Sequence, residues 1–175
     1  MVNVGRSTMR RLMEASGETV NMAIENEGYV VFVAQVESHQ SIRSFNRLGA
    51  RGPMHASSLG KAMMASLSDK AISQHLHRVG MPRLTTCTIV DPDALLGDLA
   101  LVKKRGWAID DQEQAVGLRC VGAAVYNEHS EVMGAISISG PTVRVTEERL
   151  GELGPMVKRA AAEITERIGG RPPQG

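Results

Sequence analysis

The chain has 175 residues, 42% hydrophobic and 22% charged, enough to bury roughly two thirds of its unfolded surface in one core. Twenty Lys and Arg against nineteen Asp and Glu leave a formal net charge of +1, so no global positive field draws it onto a phosphate backbone. One Trp, two Tyr and two Phe are too few for a base-stacking platform, no apolar run approaches the roughly 18 residues of a membrane span, and the N-terminal segment lacks the apolar stretch of a signal peptide. A cytoplasmic protein that does not enter membranes is expected.

In chain order, Met9, Leu12 and Met13 fall at helical spacing with Arg10 and Arg11 between them, which predicts a short amphipathic helix from about Ser7 to Ser16. Val20, Met22 and Ile24 alternate, and after the turn signal Asn26-Glu27-Gly28 the run Tyr29 to Val36 is rich in β-branched residues, so a hairpin is expected. Ser41 to Asn46 reads as a third strand. Ser57 or Ser58 and then Ser68 are N-cap candidates for two successive helices. Asp91-Pro92-Asp93 opens a stronger helix that stops at Lys103-Lys104-Arg105-Gly106. Leu118 to Tyr126 and Glu131 to Ser139 read as an antiparallel hairpin. A last helix is expected from near Thr146, with Pro155 kinking it or marking a second start, and Gly169 to Gly175 as a disordered tail. No repeat is visible. The pattern predicts a single α+β domain, an antiparallel sheet flanked by helices, with a parallel Rossmann-like arrangement as the weaker option.

In Ala135-Ile136-Ser137-Ile138-Ser139-Gly140 the strand period puts Ser137 and Ser139 on one face and Ile136 and Ile138 on the other. If Tyr126 faces Glu131 across the turn, Cys120 lies opposite Ser137 and Leu118 opposite Ser139, so that a thiol and two hydroxyls share one patch. A three- or five-residue loop shifts that register and disperses them. A solvent-facing serine pair beside a buried structural cysteine is the plainer reading of the same residues.

Ala56-Ser57-Ser58-Leu59-Gly60-Lys61 enters a helix through small residues, whose free N–H groups suit a carboxylate or phosphate, although the spacing is not that of a P-loop. Asp110, Asp111 and Glu113 offer a metal site, a general base or a solvated acidic turn. The histidines His39, His55, His75, His77 and His129 show no paired ligand spacing, and neither Cys87 nor Cys120 belongs to a C-x-x-C pair, so no metal and no cofactor is expected.

The strings SGETVNMAI, RGPMHASSLGKA, RGWAIDDQEQAVGLRC and AISISGPTVRVTEERL resemble the effector-binding domain of the isocitrate lyase regulator (IclR) family of bacterial transcription factors, in order from about Met9 to Gly170. The resemblance implies a GAF-like or profilin-like domain over the whole chain, about 7–170 ordered and 171–175 a tail. It also implies a DNA-binding winged helix-turn-helix in the parent protein that this chain lacks, and homo-oligomers, dimers or tetramers, through the effector domains. In glyoxylate-type members two backbone amides hold a small carboxylate, and these fall on Ser58 and Leu59. The family's side-chain ligands fall on Asp110, Cys120, Ser137 and Ser139, with apolar lining on Leu118. Such members often carry Gly-Ala where this chain has Ser58-Leu59, and an apolar residue where it has Ser44, so Ser44 and Leu59 bear on ligand size. Arg43 and Arg51 are read as solvated.

The resemblance implies a non-catalytic sensor of a small oxo- or hydroxy-carboxylate, glyoxylate- or pyruvate-like. Two rival readings use the same residues: a small enzyme acting on an aldehyde acid through Cys120 with Asp110 and the serines, and a redox or metal sensor through Cys120 and Cys87.

Overall fold

The computed structural model describes residues 1–173 as α1 (Val2–Ser16), β1 (Thr19–Asn26), β2 (Tyr29–Val36), β3 (Arg51–Pro53), α2 (Ser58–Met64), α3 (Asp69–Val79), α4 (Pro92–Arg105), β4 (Ala108–Asp111), β5 (Leu118–Tyr126), β6 (Val132–Pro141) and α5 (Leu150–Arg167). The strands form one antiparallel sheet in the order β3-β2-β1-β6-β5-β4. The α+β expectation holds, and the parallel alternative does not.

Helices cover both faces of the sheet. On one, Val20, Met22, Val121, Ala123, Ile136 and Ile138 meet Met9, Leu12 and Met13 of α1 and Leu153, Val157 and Ile164 of α5. On the other, Ala23, Phe32, Ala108 and Ala135 meet Leu59, Ala62 and Met63 of α2, which is backed by Ile72 of α3 and Leu95, Leu99 and Val102 of α4. Each fully buried aliphatic or methionine side chain contributes roughly 1.5–3 kcal/mol. The ends of α4 follow its sequence signals: Asp91 accepts a 2.8 Å hydrogen bond from the Ala94 amide, and Gly106 closes the helix at φ 87°.

Several expectations are corrected. Ser41–Asn46 forms no strand; β3 at Arg51–Pro53 is the third member instead. Ile42 and Phe45 are 75% and 66% exposed, so that segment has no face to bury, and Arg144 and Thr19 side chains take the Ile42 and Ser44 carbonyls that a ladder would use. The first helix starts earlier, at Val2, and its added turn packs Gly5 against β1 and α5, where a Cβ would come within 2.6 Å of Met22 Cε and 3.3 Å of Ile164 Cδ1. The last helix starts at Leu150, after a turn closed by Arg149 N–H on the Thr146 carbonyl, and continues through Pro155. The segment after it is tied down: Gly170 N–H bonds to the Thr165 carbonyl, Arg171 N–H to that of Asn127, and Ser130 Oγ to that of Pro172. Residues 174 and 175 of the expected tail lie outside the described residues.

The β5–β6 register also differs. Tyr126 pairs with Val132 rather than Glu131, so Cys120 lies opposite Ser139, Gly122 opposite Ser137 and Leu118 opposite Pro141. A five-residue connection by itself turns the serines away from Cys120. A β-bulge next to Tyr126 leaves Met133 without a partner, since Val125 pairs with Gly134, and that extra residue restores the facing. The thiol and both hydroxyls therefore share a face, with different neighbours from those expected.

Candidate functional site

Two polar rows cross the sheet on its α2 side. Thr19, Ser139, Cys120 and Asp110 follow one another across β1, β6, β5 and β4, and beside them run Asn21, Ser137, Gly122 and Ala108. All the polar members are buried, which is costly unless they are hydrogen-bonded. Most are. Gln35 Nε2 donates to Asn21 Oδ1 at 2.7 Å, Asn21 Nδ2 to Ser139 Oγ at 3.3 Å, and Ser139 Oγ to Cys120 Sγ at 3.0 Å. Asp110 Oδ1 accepts from the Glu113 and Gln114 amides at 2.8 and 3.3 Å.

Two of these atoms have no partner, Ser137 Oγ and Asp110 Oδ2. Both residues line a cavity of ≈ 20 Å³ together with Ser57, Ser58, Leu59, Cys120, Ser139, Leu118, Phe32, Asn46 and Gln114. Helix α2 begins at its wall. Ser57 caps the helix by accepting from Gly60 N–H at 2.8 Å, which leaves the amides of Ser58 and Leu59, the first two helical residues, outside the intrahelical ladder.

The approach of α2 to the sheet depends on Gly122, where a Cβ would meet the Ser58 carbonyl oxygen at 2.8 Å and its carbon at 2.9 Å. The obstacle is backbone, so the start of α2 has to shift. Gly122→Ala is expected to cost about 1–3 kcal/mol in urea denaturation and to displace the two free amides. An unchanged midpoint would mean that the helix yields freely.

Beneath the cavity lies a charged cluster that reading the sequence alone missed. Lys61 is 1% exposed, with Nζ 2.7 Å from both Asp98 Oδ2 and Glu113 Oε1. The available signal was a lysine within a helix whose other residues are all small or apolar, since such a lysine is rarely buried without partners. Burial raises the Glu113 pKa to about 7 although Lys61 opposes the rise, and burial raises that of Asp110 to about 6 against its two backbone hydrogen bonds and Lys61. Burial also pushes the Cys120 thiol far above its ordinary range. Cys120 is therefore held as a thiol, the form that is neither nucleophile nor metal ligand.

The structure brings Ser58, Leu59, Asp110, Leu118, Cys120, Ser137 and Ser139 together. It does not place Ser44 on the cavity wall: the Ser44 carbonyl accepts from Thr19 Oγ1 at 3.0 Å, and Asn46, two residues on, takes the lining position. His55 is buried against the Pro82 carbonyl and lines no part of the cavity. Arg43 and Arg51 pair at the surface with Glu37 and Glu27. Among the described residues no three His, Cys, Asp or Glu are grouped to hold a metal ion, and no helix is long and apolar enough to cross a membrane.

Residues 1–166 match the family model for the bacterial transcriptional regulator IclR C-terminal domain. The chain belongs to the IclR family. It is 45% identical over 164 residues to the acetate operon repressor of Salmonella typhimurium, covering 93% of this chain and 60% of that protein. The transcriptional repressor IclR of Escherichia coli K12 is likewise 45% identical over 164 residues, with the same 93% and 60% coverage. The C-terminal domain of the Escherichia coli regulator KdgR superposes with a TM-score of 0.85 at 31% identity, covering 96% of this chain and 98% of that one. This IclR-family chain is thus a ligand-binding regulatory domain of the kind found in transcription regulators, rather than an enzyme. It spans less than two thirds of the length of the two repressors.

Proposed function

We propose that this chain senses a small oxo- or hydroxy-carboxylate, such as glyoxylate or pyruvate, on behalf of a transcription regulator. The observation that carries the reading is the pair of buried, unpartnered atoms Ser137 Oγ and Asp110 Oδ2 facing one cavity. Buried polar groups are nearly always paired, so a cavity lined by orphans suits a polar occupant. The Ser58 and Leu59 amides with the Ser137 hydroxyl donate to the carboxylate, the Ser139 hydroxyl joins them by giving up its bond to Cys120 Sγ, and Asp110 meets a hydroxyl or aldehyde hydrate at the other end, accepting from it as a carboxylate and donating to it when protonated. Leu59, Leu118 and Cys120 form the walls. A volume of ≈ 20 Å³, little more than one water-sized group needs, means that the walls part to admit even a two- or three-carbon acid and disfavours anything larger. The name of the Salmonella typhimurium relative, an acetate operon repressor, supports a link to small carboxylates.

In the parent protein the sensor acts through homo-oligomers, and DNA is bound by a separate N-terminal winged helix-turn-helix. The ligand controls DNA binding only so far as it binds one quaternary state more tightly than the other.

A thermal-shift titration with glyoxylate, pyruvate, glycolate, oxalate and acetate at matched ionic strength tests the reading. A ligand at 100 times its Kd adds about 2.7 kcal/mol, a rise of several degrees in a domain of this size. The double variant Ser137→Ala, Ser139→Ala should bind more weakly by about 1–3 kcal/mol. Unchanged affinity in the folded double variant would reject this pocket.

A further inference from the structure

We propose that the groove between α3 and the exposed end of the β1–β2 hairpin is a second ligand site, built for a small monocarboxylate with an apolar body. The cavity there has a volume of ≈ 450 Å³, within the roughly 300–1,000 Å³ of small-molecule sites, and it shares no lining residue with the effector cavity. Its size calls for a larger ligand than a two- or three-carbon acid.

One wall is apolar: Met54, Met63, Leu67 and Val132. The two methionines are adaptable surfaces for an aliphatic or aromatic body. The opposite wall is the stripe Ala71, Gln74, His75 and Arg78 of α3, at the three- and four-residue spacings that share a helix face. His75 is only 9% exposed, and its ring nitrogens have no hydrogen-bond partner among the described residues, which leaves them open toward the groove that the side chain lines. Burial, helped by Arg78 and opposed by Glu25, lowers its pKa, and in its neutral form the imidazole offers one N–H donor.

Arg78 supplies the charge. Its Nη2 lies 3.1 Å from where a Cβ on Gly28 would stand, so the side chain folds over the hairpin turn. No carboxylate pairs with it among the described residues. Glu25, the acidic group of the groove, has Oε1 turned to the Gly28 N–H at 2.6 Å and forms no ion pair with Arg78, so its charge sets the apolar body of the ligand, rather than the carboxylate, on its side. An unpaired guanidinium beside an unpaired imidazole N–H recognises an anion, and the methionine wall selects one with an apolar body.

The test is a titration of the whole chain, labelled with ¹³C at the methionine methyls, with benzoate and hexanoate, and with benzyl alcohol and benzylamine as neutral and cationic controls. Saturable shifts of the Met54 and Met63 methyls are expected with the two acids. They should be at least tenfold weaker in Arg78→Ala, a change at an exposed side chain, and unchanged in the Ser137→Ala, Ser139→Ala variant. Absence of saturable shifts with both acids would overturn the proposal, as would an equal response to the alcohol or amine. So would shifts that survive Arg78→Ala but vanish in the serine variant, which would assign the binding to the effector cavity. Shifts that follow protein concentration without added acid, with a matching rise in sedimentation mass, would make the groove a contact between copies.

Discussion

Lys61→Met is expected to cost about 3–5 kcal/mol of stability at pH 8, the range for stripping one partner from a buried ion pair. Methionine matches much of the lysine stem, so the loss is electrostatic rather than a cavity. Glu113 is 7% exposed and its Oε2 already lacks a partner; without Lys61, Oε1 loses its counter-charge as well. Asp98, at 21% exposure, retains more contact with water and suffers less. The loss should shrink at pH 5.5, because a buried carboxyl without its cation takes up a proton instead of remaining charged. Urea denaturation at the two pH values measures both quantities, and Lys61→Met combined with Glu113→Gln should recover most of the loss at pH 8. An equal loss at both pH values would mean that Glu113 is not the group left stranded.

The same shifts give the wild type an uncommon pH profile. Glu113 moves from 4.5 to about 7 and Asp110 from 3.8 to about 6, so in both cases the folded state holds the proton more tightly than the unfolded state. By linkage, these two groups remove stability as pH rises from about 4 to about 7 and have no further effect above that window. Their contribution is opposite in sign to that of carboxylates whose pKa folding lowers.

Carboxylate binding should carry the second large effect, a dependence on proton uptake. At pH 8 the buried cluster holds the carboxylates of Asp98, Glu113 and Asp110 against the single ammonium of Lys61, with Cys120 and the half-exposed Asp111 beside Asp110. An incoming anion adds another negative charge next to Asp110. Protonating Asp110 removes the conflict and turns Oδ2 into a donor for the ligand. If one proton enters with each ligand, Kd for glyoxylate or pyruvate rises about tenfold per pH unit above the free-state pKa, which is about 1.4 kcal/mol per unit. Calorimetry in buffers of different ionisation enthalpy counts the proton directly, and Asp110→Asn should flatten the profile. Affinity constant from pH 6 to pH 8 in the wild type would rule the coupling out.

Much of the site was legible in the sequence because its residues follow local rules. The strand period put Ser137 and Ser139 on one face, and Ser57 with the following small residues marked a helix entry. Both signals depend only on neighbours in the chain. What was not legible came from tertiary context. The Met133 bulge has no signature in the residues around it, and the strand expected at Ser41–Asn46 failed because the Arg144 and Thr19 side chains claim its carbonyls. Lys61 went unread because a lysine on a short helix is ordinarily solvated, and only the packing of α2 between the sheet and α4 removes it from water. Ser44 was placed by resemblance, whereas the loop that carries it presents Asn46 to the cavity.

The bulge at Met133 also limits how this hairpin can change length. A strand has only two phases, and the pocket side chains sit in the phase that one unpaired residue supplies. A residue gained or lost within the connection 127–131 is absorbed by the loop, because pairing to both β1 and β5 holds the rest of β6 in place. One residue gained or lost between Gly134 and Ser139 would act like a frameshift confined to that stretch: the isoleucines and serines beyond the change would exchange faces, whereas a two-residue step keeps the phase. The turn can therefore drift in length while the strand beside it cannot.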